Sequence, residues 1–244
     1  MRAVVISLAL TAAALLITRI QNLRIESEFI VAVVRAAVQL AVVAVVIGTV
    51  FDHLGLSGLF VLVMFAAASV TAGRRLHGVK GALRIGATSI AAGSVPALLA
   101  LFGLGGYELE PRFVIPISGI LIGGAMTATT LAGRRIRDEL ISKVAEIEAR
   151  LSLGVTARFA LRSYLPSGIH GALIPVLDQT KNVGLITLPG AFVGMILGGA
   201  SPVEAAQVQL TVLFSLLGVQ AVAASVCAAR VGRSFVGPGE RMVL

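Results

Sequence analysis

The sequence predicts an all-α, polytopic membrane protein of about seven transmembrane helices, with a cytoplasmic amphipathic helical loop. Three observations carry that expectation. Of 244 residues, 57% are hydrophobic and only 13% charged, where a soluble domain carries roughly 25% charged residues. The apolar residues fall in blocks of about eighteen, long enough to cross a hydrocarbon core of about 30 Å as helix. The basic residues gather in alternate linkers. Mean hydropathy is +0.97.

The first span covers roughly residues 3–18, after Arg2. It ends in Thr18-Arg19-Ile20 without a small-x-small cleavage pattern, so it reads as a retained helix rather than a signal peptide. Spans at 30–50, 54–72, 85–104 and 113–132 follow, then a long polar stretch, then spans at 183–199 and 206–228. No strand-like alternation is present, and backbone polar groups in lipid must be satisfied within the segment. The chain thus divides into five N-terminal helices (1–132), a cytoplasmic amphipathic and coupling region (133–182), two C-terminal helices (183–230) and a cytoplasmic tail (231–244).

Seventeen of the twenty Lys and Arg residues lie in linkers 19–29, 73–84 and 133–182 or beyond the last span, at Arg230, Arg233 and Arg241; Arg2 and Arg112 lie on the other side, and Arg35 within a span. This asymmetry places the N-terminus outside and the C-terminus in the cytoplasm of a multi-pass protein of the inner (plasma) membrane. It also explains the net charge of +8 and pI near 11.0 without nucleic acid as a partner. The single cysteine, Cys227, excludes an internal disulfide, and His53, His77 and His170 show no paired ligand spacing. Among the acidic residues Asp178 alone lies near membrane depth; Asp52, Glu240 and the rest fall in loops or ends. No carboxylate cage for a hard cation is visible, and metal ligands are not assigned.

The stretch 133–182 carries the signs of partnership. Ile136, Leu140, Val144, Ile147 and Leu151 form one apolar stripe on a helix leaving the fifth span. Glu139 and Lys143, like Glu146 and Arg150, are i,i+4 pairs in the favoured order. The structural alternative is a basic helix lying on the bilayer. Glu148-Ala149-Arg150-Leu151-Ser152-Leu153-Gly154 then ends that helix at a glycine, a short helix follows from Thr156 to Tyr164, and Leu165-Pro166 breaks it. This resembles the coupling loop of ABC-transporter permeases, Glu-Ala-Ala-x3-Gly followed by Leu-Pro, with Arg150 in place of the second Ala. The resemblance implies ATPase-coupling roles for Glu148, Ala149, Gly154, Arg158 and Arg162. No Gly-x4-Gly-Lys-Ser/Thr phosphate cradle occurs, so the chain is expected to be a transport subunit and not an enzyme, with ATP and Mg on a separate partner.

A closer likeness rests on Val34–Leu40, Gly123–Ala132, Glu146–Gly154, Ala172–Pro175, Val183–Gly190 and Ser201–Ala205. These segments are similar, in order, to the FetB-type family of iron-export ABC permeases, which includes plant relatives linked to aluminium tolerance. The resemblance implies a permease that works as a homodimer with a FetA-like ATPase, binds no cofactor itself, and exports iron or a related metal species.

Candidate translocation-path residues are Arg35, Gln39, Met126, Thr127, Thr130, Asp178, Lys181 and Asn182. Arg35 and Gln39 share a face of the second span; an Arg there either lines a cavity or snorkels. Thr127, Thr129 and Thr130, with the Gly119–Gly123 pair, form a small-residue tract that serves helix packing or a path. Asp178 and Lys181 are spaced to pair on a helix just before the sixth span, as part of a transmitting interfacial helix or a vestibule. Three rivals remain open: an ABC permease for a nucleotide-sugar or organic anion, a stand-alone secondary transporter, and a membrane enzyme of lipid metabolism.

Overall fold

The computed structural model describes residues 2–51, 53–237 and 241–242. Asp52, Glu240 and the remaining parts of the expected tail lie outside the described residues. Two compact units, Met1–His53 and Leu54–Leu244, make up the chain. Apart from two isolated bridges, the described residues are helices and their connections.

The N-terminal unit is a helical hairpin, α1 (Arg2–Ile20) and α2 (Glu26–Phe51). Its turn holds Asn22 and Arg24 at φ 53° and 54°, a left-handed conformation in which Asn carries little penalty. Both helices are long and apolar enough to cross a membrane.

In the second unit the same holds for α3 (Leu54–Arg75), α4 (Ala82–Gly103), α5 (Pro111–Ser142) and α10 (Pro202–Ser234). These four pack as a bundle in which α10 lies against α4 and α5, and α3 against both of those. Small residues set the approach, as they do where lipid offers no hydrophobic drive for association. A Cβ on Gly93 of α4 would lie 2.5 Å from the Val219 carbonyl oxygen of α10, and one on Gly86 would lie 3.3 Å from the Ser69 carbonyl oxygen of α3. The sequence singles out Gly119 and Gly123 for this role, but Gly119 only touches the Met64 side chain and Gly123 faces open space. Gly124 is the crowded one, beneath Leu216 and Gln220.

With 32 and 33 residues, α5 and α10 each run about 50 Å and overshoot a 30 Å core. The overshoot lies at the basic end of the unit. There Arg134 Nε donates to the Arg75 carbonyl at 3.2 Å and Arg137 Nη1 to the His77 carbonyl at 2.8 Å, so cations cap the C-terminus of α3.

Among the described residues six continuous helices meet the length and composition of a span, where about seven are expected. The expected sixth span, 183–199, is not one helix: a turn over 183–189 precedes a short α9 (Gly190–Leu197). What accompanies the bundle at that point is α8 (Leu165–Asn182), which the sequence assigns to the polar stretch. It runs antiparallel to α5 and α10: Leu165 meets Gly232, Gly168 meets Ile136, Ala172 clusters with Ala128 and Ala224, and Val176 with Leu121 and Ala125. The stretch 133–182 thus divides, and Lys181 lies level with the apolar spans rather than among the basic linkers. Hydropathy missed α8 because its polar face dilutes an apolar face made of small residues.

Candidate functional site

Two features stand out, one at the basic end and one at membrane depth. The apolar stripe expected on a single helix is shared by two, because the helix breaks at Lys143 (φ −111°, ψ 14°) and resumes as α6 (Val144–Ser152). Ile136, Leu140 and Ile147 are fully buried, not against a bilayer surface but in a cluster with Leu76, Ala160, Leu161, Val231 and Phe235. Hence α6, the short α7 (Ala157–Arg162) and the ends of α5 and α10 share one core.

α6 ends in a Schellman motif: Gly154 N–H donates to the Leu151 carbonyl at 3.0 Å and Val155 N–H to the Arg150 carbonyl at 3.2 Å. Gly154 sits at φ +82°, where a Cβ is strained. The reversal presents Leu153 (83% exposed) and Phe159 (66% exposed) to the outside. Sequence reasoning missed this apolar pair; the signal available was an unpatterned Leu beside the capping Gly.

Arg150, the departure from the Glu-Ala-Ala pattern, clasps the two helices. Its guanidinium donates to the Glu146 carboxylate at 2.7 Å, the Ser163 hydroxyl at 3.0 Å and the Ala160 carbonyl at 3.4 Å, and lies 5.4 Å from the Tyr164 ring centroid. The Tyr164 hydroxyl, then Arg150 and Lys143, hold the Glu146 carboxyl below its ordinary range. Burial, then Glu146, pushes the Tyr164 phenol up. Glu148 and Ala149 lie on exposed faces of α6, and Arg158 and Arg162 share an exposed face of α7.

At membrane depth, α8 stops at Asn182, whose carbonyl accepts from the Ile186 and Thr187 N–H groups at 3.0 and 3.2 Å. Gly184 at φ +83° completes the reversal. An interrupted helix level with apolar spans is tolerated where it lines protein or water, and transporters place binding sites at such breaks. Since Val176 clusters with Leu121 and Ala125 near the middle of α5's apolar stretch, Asp178 and Lys181 lie about 3 and 8 Å beyond that level at 1.5 Å per residue. Both are exposed on α8, and Asn182 is half-buried. No ion pair joins Asp178 to Lys181 among the described residues. Pro175, one turn before Asp178, has no N–H to give the Gly171 carbonyl on the same exposed face.

The other path candidates are not all brought to this face. Thr127 is exposed on α5 beside Gly123, whose carbonyl its hydroxyl meets at 3.0 Å. Met126 and Thr130 turn instead into the bundle, the Thr130 hydroxyl donating to the Met126 carbonyl at 2.8 Å. Arg35 and Gln39 are exposed on α2 of the N-terminal unit. Among the described residues no three His, Cys, Asp or Glu side chains are grouped to hold a metal ion.

A family model described as "Uncharacterised protein family (UPF0014)" matches residues 1–236. The protein ALUMINUM SENSITIVE 3 of Arabidopsis thaliana is 38% identical over 211 residues, covering 86% of this chain and 77% of that protein. The UPF0014 membrane protein STAR2 of Oryza sativa subsp. japonica is 36% identical over 216 residues, 88% of this chain and 76% of its own. The "Probable iron export permease protein FetB" of Escherichia coli (strain K12) is 32% identical over 241 residues, 98% and 93% of the two chains. No solved structure matches.

Proposed function

The chain belongs to the UPF0014 family, a family of membrane proteins, and on that premise we propose that it is the membrane-spanning permease subunit of an ABC transporter that exports iron or a related metal species. The basic end faces the cytoplasm, and two copies assemble with two copies of a separate, FetA-like ATPase that carries ATP and Mg.

The observation that carries this reading is the α6–α7 hairpin. It projects two exposed apolar side chains, Leu153 and Phe159, while its inner face is fused to the core of α5 and α10. A subunit gripping Leu153, Gly154 and Phe159, with Glu148 and Ala149 at its rim, would therefore move the helices that flank the path. Such rigid-body transfer is how a docking event becomes a change of access.

The path follows the exposed face of α8. A carboxylate and an ammonium at membrane depth are expensive against lipid, roughly 2.5–3.5 kcal/mol each, so this face borders water or a second copy. Asp178, the Gly171 carbonyl and Asn182 offer oxygen ligands suited to a hard cation, with the exposed Thr127 of α5 as a further candidate. Export of iron follows the printed name of the FetB relative. Lys181 favours a second reading, in which the cargo is anionic, such as a chelated metal or an organic anion.

The test is affinity purification of the tagged chain from detergent-solubilised native membranes. A soluble ATPase should accompany it in near-equal amount and be lost when Leu153 and Phe159 are changed to Arg. A chain recovered only with itself, under conditions that preserve another ABC complex, would overturn the proposal in favour of a stand-alone transporter.

A further inference from the structure

A cleft of about 540 Å³ opens between α7, the start of α8 and the last turns of α10. Its apolar lining includes Leu161, Leu165 and Ala229; its charged lining is Arg158, Arg162 and Arg233. Arg158 and Arg162 are one helical turn apart, and Arg233 faces them from α10. Among the described residues none of the three is in an ion pair. Three guanidinium-bearing side chains lining one cleft, with no carboxylate among its lining residues, repel one another unless an anion joins them.

Depth says which anion. The apolar stretch of α10 ends near residue 228, so Ala229 stands at the hydrocarbon edge. Gly232 and Arg233 follow at about 6–8 Å, within the headgroup layer, which is about 5–8 Å thick on each side. The cleft thus has an apolar wall toward the hydrocarbon and three phosphate-seeking forks at headgroup level.

We propose that this cleft binds one anionic phospholipid, its phosphodiester held by Arg158, Arg162 and Arg233 and an acyl chain lying along Leu161, Leu165 and Ala229. The lipid ties α7 to the end of α10. Basic pockets between membrane helices take such headgroups by this chemistry. The site needs the basic end to lie at a membrane surface, but it does not need an ATPase.

The test uses the full chain in detergent, stripped of lipid and titrated with phosphatidylglycerol, with phosphatidylcholine, or with inorganic phosphate. Bound molecules are counted by native mass spectrometry. Phosphatidylglycerol should bind more tightly than phosphatidylcholine by roughly tenfold or more. The triple change Arg158→Gln, Arg162→Gln, Arg233→Gln should abolish that preference, and the triple change to Lys should keep most of it, which separates loss of charge from loss of fold. Equal binding of the two lipids, or a preference that survives the Gln changes, overturns the proposal. So does displacement of phosphatidylglycerol by inorganic phosphate, which would make the site one for free phosphate. If the Gln changes release the ATPase while the lipid preference persists, the arginines dock the partner and the proposal fails.

Discussion

Gly93→Ala should destabilise the bundle, and Gly123→Ala should not. The added methyl on Gly93 would sit 2.5 Å from the Val219 carbonyl oxygen and 3.2 Å from the Ala223 methyl. The first of these is backbone of a long helix and cannot swing aside. Reaching ordinary contact means parting α4 from α10 by roughly 0.5–1 Å, an overpacking strain of about 1–3 kcal/mol. A Cβ on Gly123 meets nothing within 4 Å, so only the gain in helix propensity applies, up to about 1 kcal/mol. For a chain of this size 1 kcal/mol moves the melting temperature by about 2–4 °C. Gly93→Ala should thus melt roughly 2–12 °C lower, and Gly123→Ala at the wild-type temperature or slightly above. The chain reports on itself, since its single cysteine, Cys227, is fully buried between α5 and α10. A thiol-reactive dye that fluoresces on labelling Cys227 follows unfolding in detergent. Equal melting of the two variants, or a larger loss for Gly123→Ala, would refute the packing described for this bundle.

Arg150→Ala removes the clasp between α6 and α7 at a cost of about 1–2 kcal/mol, given its partial exposure; trypsin should then cut at Arg158 and Arg162 roughly tenfold faster. Glu146 titrates below its ordinary 4.5, so its stabilisation of the hairpin is whole above that value and fades as pH falls through the lower folded value. Hydrogen exchange over residues 144–164 should accelerate on acidification in wild type, while Glu146→Gln shows fast exchange already at neutral pH. Asp178→Asn should leave ATPase recovery unchanged and lower metal transport by roughly tenfold or more, because a hard cation loses a carboxylate ligand on the α8 face; a change confined to partner binding would contradict that placement.

Much of the fold was legible because lipid imposes it: a run that cannot hydrogen-bond to water must close on itself as helix. The stripe Ile136, Leu140, Ile147 was likewise legible from spacing alone. Its partner was not, since the same stripe suits a bilayer surface or a protein core, and only tertiary contact with Val231 and Leu161 decides. α8 was hidden by its own duality. Gly168, Ala172 and Val176 bury a narrow face, while Asp178, Gln179 and Lys181 on the rest lower the average that a hydropathy window sees. The choice between Gly123 and Gly124 was beyond spacing for a related reason: adjacent helical residues point about 100° apart, and the sequence does not state which side meets α10. Arg150 read as a blemish in the coupling pattern, and its clasp on Ser163 and the Ala160 carbonyl became visible only once α7 folded back.

The most direct test of the central claim is transport itself, in inside-out vesicles holding the chain with its co-purifying ATPase. The account predicts that ATP drives radioactive iron into the lumen, and that Leu153→Arg with Phe159→Arg abolishes this while the permease stays folded by the Cys227 criterion. Iron that crosses without ATP, or ATP-driven uptake that ignores the loss of Leu153 and Phe159, would contradict it.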